Sequence, residues 1–166
     1  MIKRLMCAAA LMVAFSVMAG AADFDKIPDP TKNMKEGQWV SYNAMGGMTQ
    51  KTTITKMEGS GDDASITMKI EMSQGGNAMP AQEQTISLKD SKAMQQEAWK
   101  NSPDMKITEE KVTIGGKTYD AVVIEATNQG VSTKIFMSEE IPVTGILKME
   151  VSGMPGPMME LAEFGN

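Results

Sequence analysis

The clearest pattern in the chain runs from Ile66 to Ser73, where Ile66, Met68, Ile70 and Met72 alternate with Thr67, Lys69, Glu71 and Ser73. Side chains leave a strand on opposite faces in turn, so this segment predicts a strand with one dry and one wet face. Between Val112 and Ser152 the same signal recurs in several segments laid end to end. Gly115-Gly116 joins residues 112–114 to a run over 117–126, and Asn128-Gln129-Gly130 joins that run to 131–138. Short glycine-containing joints are what a hairpin needs where φ must be positive. In the run 117–126, Tyr119, Ala121 and Val123 oppose Val122 and Ile124. A strand apolar on both sides predicts a central position in a sheet. Val131, Thr133, Ile135 and Met137 share a face of the next strand with Phe136 on the other, and Pro142 and Gly145 break the chain before residues 146–152.

Upstream, residues 38–43 have the aromatic and β-branched content of a first strand, which Gly46-Gly47 turns into a second over 49–57. The cluster Gly59-Ser60-Gly61-Asp62-Asp63 predicts the next turn. A loop over 74–81 with Pro80 leads to a strand over 82–88. Asp90 or Ser91 can cap a short helix in which Met94, Ala98 and Trp99 share a face, stopped by Pro103. Strand character resumes over 105–114, and residues 159–164 fit a closing strand and a helical turn equally well. Eight or nine short strands and one short helix predict a mainly β protein, its antiparallel sheet either a barrel or strongly curved.

The start of the chain supplies a compartment. Lys3 and Arg4 precede an uncharged apolar run over 5–18, and Ala19-Gly20-Ala21-Ala22 offers small side chains for cleavage. Residues 1–22 thus read as a secretory signal peptide, too short in its apolar part to span a bilayer, and predict a periplasmic protein. Residues 23–35, with Pro28 and Pro30 among charges, read as a leader that lies along the domain or is mobile. Residues 36–166 then form a single domain.

Cys7 is the only cysteine, it falls within the signal peptide, and the chain has no histidine. The exported part would therefore have no disulfide, no Cys/His metal site, no thiol nucleophile and no imidazole base. Adjacent carboxylates at Glu109-Glu110 and Glu139-Glu140 point to opposite faces of a strand and cannot form a dyad by themselves. No catalytic residue and no cofactor is predicted. With Lys3 and Arg4 removed, 14 lysines face 21 acidic residues, a net charge of −7 without one arginine. Such a balance argues against nucleic acid or phosphate as a partner.

Methionine is the compositional oddity, with 18 in the chain. It can replace leucine as core filler, or its flexible thioethers can line an adaptable surface. A third reading uses thioethers as soft ligands for Cu(I), with the pair Met45 and Met48 and the group Met154, Met158 and Met159 as separate candidates.

Four stretches, EGQWVSY, GGKTYDAVVIEA, TKIFMSEEIPVTGILKMEV and MELAEFG, resemble those of small bacterial envelope proteins whose sheets are similar to the half-barrels of the LolA and LolB lipoprotein carriers and the mycobacterial lipid-binding lipoproteins. The resemblance implies a curved antiparallel half-barrel closed on one side by a short helix, with an apolar concave face that holds acyl chains. It departs from the lipoprotein members in having no cysteine directly after the signal peptide. The expectation is a monomeric, non-enzymatic carrier of a lipid or other hydrophobic ligand, with Trp39, Ile66, Met68, Ile70, Met72, Phe136 and Met149 as pocket walls. Two alternatives stand beside it: an interaction module with a filled core that recruits an envelope protein through a sheet edge or the Pro/Met tail, and the thioether copper binder.

Overall fold

The computed structural model describes residues 24–100 and 105–166. The expected signal peptide, Cys7 and Pro103 lie outside these, as do the side chains of Ala98 and Trp99. Ten strands form one antiparallel sheet. They are β1 (Trp39–Ala44), β2 (Met48–Glu58), β3 (Ser65–Gln74), β4 (Asn77–Ala78), β5 (Gln82–Ser87), β6 (Met105–Ile114), β7 (Lys117–Asn128), β8 (Val131–Met137), β9 (Ile146–Val151) and β10 (Pro157–Gly165). The order across the sheet is β4-β3-β2-β1-β10-β9-β8-β7-β6, with β5 also on β3. Two meanders, β1–β5 and β6–β10, therefore meet along β1 and β10.

The half-barrel expectation is corrected at this level. The sheet is neither closed nor strongly curled, and its outer strands β5 and β6 do not pair with each other. Alternation and turn residues fix which way each side chain faces, and a flat and a curled sheet of the same strands give the same alternation. The strand expected to be central is also displaced. β7 lies second from one edge, and β10, whose sequence fitted helix and strand alike, holds the middle by pairing with both β1 and β9.

The leader packs onto the core that β7 shares. Ile27 joins the main core cluster, and Phe24 and Met34 pack against it. Lys26 reaches Glu109 of β6 at 3.3 Å, and a Cβ on Gly145 would touch the Pro30 ring at 3.4 Å. Asp29 organises the leader by accepting from the backbone N–H of Thr31 at 2.9 Å and from its hydroxyl at 2.6 Å. It also pairs with Lys92 at 3.2 Å. Partial burial raises its pKa, but the Thr31 hydrogen bonds and Lys92 together hold the carboxyl below its ordinary value.

The α-helix among the described residues, α1 (Leu88–Lys100), starts earlier than the sequence suggests. Ser87 rather than Asp90 or Ser91 takes the first turn, its hydroxyl accepting from the Asp90 N–H at 3.3 Å. Leu88 donates its own N–H to Ala64 at 2.9 Å and buries its side chain with Ala64 and Ile66 in a small second cluster. Met94, expected to face inward, is instead 62% exposed.

One face of the sheet centre is pinned by Tyr42. Its ring is fully buried among Val40, Ile54 and Leu147 of the main cluster. The hydroxyl reaches across β10, donating to the Ile146 carbonyl at 2.9 Å and bonding the Thr144 hydroxyl. Burial pushes the phenol well above its ordinary range, against a smaller downward pull from Thr144. The loop it holds, residues 138–145, contains a strained turn. The Thr144 N–H donates to the Pro142 carbonyl at 2.7 Å around Val143 at φ 69°. That is a tight γ-turn in a region a β-branched residue seldom enters.

Candidate interaction surface

Register decides whether the seven predicted residues can form a pocket, and it separates them. Met68 pairs with Ile54 and Met72 with Gln50, Gln50 lies opposite Tyr42, and Met149 lies opposite Met159, itself opposite Ala44. Ile66, Met68, Ile70, Met72 and Met149 therefore share the Tyr42 face. Phe136 pairs with Lys148, Lys148 with Glu160, and Glu160 with Asn43. This row puts Phe136 with Trp39 on the opposite face.

The side chains are also spoken for. Ile66 is fully buried, and Met72, Phe136 and Met149 are buried. Met68 packs against both core clusters. Lys148 lies 4.2 Å from the Phe136 ring and Lys51 lies 4.1 Å from that of Trp39. The space above these two rings is taken by lysine stems and charges rather than held open for an acyl chain.

Among the described residues, two clefts elsewhere are lined by none of the seven. The larger, about 600 Å³, is walled by charged groups including Glu109, Glu110, Lys111, Asp120, Glu139 and Glu140. The smaller, about 230 Å³, lies between residues of the leader and Glu139 to Pro142. Several of these acids already have lysine partners: Lys111 with Asp120 at 2.6 Å, and Lys117 with Glu140 at 2.8 Å. The carrier reading is thus overturned, since the sheet lacks the curl and the expected wall residues sit on two faces within packed side chains.

The copper reading fails with it. Among the described residues no group of three or more His, Cys, Asp or Glu could hold a metal. Of the candidate thioethers, Met159 is buried in the core opposite Met149 while Met154 is exposed.

The feature that sequence reading missed emerges from the topology. In an antiparallel meander successive turns fall at alternate ends. The turns β1-β2, β3-β4, β7-β8 and β9-β10 therefore share one end, and β2-β3, β6-β7 and β8-β9 share the other. The first four lie in stretches 37–50, 72–82, 126–133 and 151–159, none of which contains a charged residue. An exposed apolar side chain lies in each of the four stretches: Met45, Met79, Val131 and Met154. Neighbouring turns brace each other, with Gly75 donating its N–H to Gly47 at 3.3 Å and Ser152 to Ser132 at 2.8 Å. The opposite end carries Lys56, Glu58, Asp63, Lys117, Glu139 and Glu140, with Asp63 3.7 Å from Lys89. The absence of charge in each turn was readable, but their gathering at one end needed the strand order.

No family model, curated protein or solved structure matches the chain. The resemblance to the LolA and LolB carriers is accordingly not upheld. The molecule is a mainly β protein built on one open, uncurled antiparallel sheet.

Proposed function

We propose that the protein is a non-enzymatic, exported interaction module that docks through its four charge-free turns onto an uncharged apolar surface of another envelope protein. The observation that carries this reading is the coincidence of four uncharged stretches, each with an exposed apolar side chain at or close to its turn, at one end of a sheet whose other end is heavily charged. Burying a charge without a partner is costly, so a surface free of charges can be covered with the least desolvation penalty. Interface cores are depleted of charge and enriched in methionine, whose flexible side chain adapts to a partner's contour. A membrane surface fits less well. Interfacial anchoring uses Trp, Tyr, Lys or Arg, and residues 45–47, 75–79, 129–131 and 152–157 contain none of them.

The test is site-specific photocrosslinking in the native host. A photoreactive residue at position 45 or 154 should trap one discrete protein species, whereas the same residue at position 94, more exposed but on α1, should not. Equal trapping from all three positions, or none from 45 and 154, removes the proposal.

A further inference from the structure

The same end also carries three of the four methionines that stand exposed among the described residues, the fourth being Met94 on α1. Met45, Met79 and Met154 are 42%, 37% and 42% exposed, whereas Met137, Met149 and Met159 are 1%, 3% and 5% exposed. The described residues contain neither cysteine nor histidine. None of the described residues therefore offers a thiol to intercept a peroxide before it reaches a thioether.

We infer that Met45, Met79 and Met154 are oxidation sites, and that converting them to sulfoxides switches off the docking end. The switch rests on the docking reading above. The oxidant is a hydroperoxide. Its O–O bond breaks, one oxygen forms an S–O bond, the other leaves as water or alcohol after taking up the proton, and the sulfur gives up two electrons that the peroxide gains. A dithiol reductase reverses the step, removing the oxygen as water and becoming a disulfide. The product is a strongly polar group on each of three turns that otherwise present an uncharged, apolar contact. Docking would then have to strip water from three sulfoxides. Met94 provides an internal control: at 62% exposure it oxidises too, but α1 lies outside the four turns.

The experiment exposes the folded full chain to hydrogen peroxide and follows each methionine by peptide mass spectrometry, with retention on a phenyl column as the readout of the surface. Met45, Met79 and Met154 should convert about tenfold or more faster than Met137 and Met149. Retention should fall as they convert and return after treatment with methionine sulfoxide reductase. The triple variant Met45→Gln, Met79→Gln, Met154→Gln should show no further fall, although Met94 still oxidises in it. Conversion no faster than that of the buried methionines, or unchanged retention of the oxidised protein, overturns the proposal. Crosslinks from a photoreactive residue at position 131 separate the two readings. If they persist after all three methionines are oxidised, the switch is wrong and the docking surface stands. If they are absent before oxidation, the docking reading falls and takes the switch with it.

Discussion

Replacing Tyr42 by phenylalanine removes one oxygen from the middle of the sheet and leaves the ring in place, so it isolates the polar link between β1 and the start of β9. That oxygen donates to the Ile146 carbonyl at 2.9 Å and bonds the Thr144 hydroxyl. Thr144 is only half-buried and keeps a second contact, accepting from the Ile146 N–H at 3.2 Å. The main loss therefore falls on the carbonyl of Ile146, a buried residue. A net hydrogen bond plus one partly desolvated acceptor amounts to about 1–3 kcal/mol. In a domain of this size each kcal/mol moves the melting temperature by about 2–4 °C, so a fall of about 2–12 °C is expected by calorimetry.

The same variant should change the response to alkali. Burial raises the Tyr42 pKa in the folded protein, so the folded state holds this proton more tightly than the unfolded chain does. The stability it contributes is complete below the unfolded tyrosine pKa of about 10 and declines as pH rises above that value. Tyr42→Phe should accordingly lose less stability than wild type between neutral pH and about pH 11. A melting temperature within about 1 °C of wild type, combined with an unchanged alkaline profile, would refute the role given to this hydroxyl.

Two further substitutions probe the packing that sets the two ends of the sheet. Val143→Gly relieves a positive-φ strain worth about 1–3 kcal/mol while giving up a comparable amount of side-chain burial. Val143→Ala gives up most of that burial and keeps the strain, so urea denaturation should find the alanine variant less stable than the glycine one; the reverse order argues against a strained γ-turn. Leu88→Ala opens the small cluster with Ala64 and Ile66 and should cost about 2–5 kcal/mol by the same method. A loss under about 0.5 kcal/mol would mean that the start of α1 is not fastened to the sheet there.

Most of the strands were legible because each has its own evidence: alternation in β3, a glycine pair closing β6-β7, and proline and glycine ahead of β9. What alternation could not supply was relation. β10 offers Met159 and Leu161 to the core but follows them with Ala162 and Glu163, so its own few residues do not distinguish strand from turn. Only its pairing with β1 and β9 reveals it as the seam of the two meanders. β7 looked central because it is apolar on both sides, and the leader, which showed no period of its own, adds Ile27, Phe24 and Met34 to the core it shares. The candidate site suffered in the same way. Ile66 to Met72 were correctly placed on one face, but whether Trp39 and Phe136 joined them depended on register through four other strands. The uncharged turns are spread across more than a hundred residues of sequence and become one surface only once the strand order is known.

The docking surface is tested most directly by placing charge upon it. With a photoreactive residue at position 131, the double variant Met45→Glu, Met154→Glu puts two carboxylates among the four turns without touching the core, and Met94→Glu adds one on α1 as a control. The account predicts that the crosslinked species formed in the native host falls at least about tenfold in the double variant, the scale expected for stripping water from unpaired charges, and is unchanged by Met94→Glu. An undiminished crosslink in the double variant would contradict it.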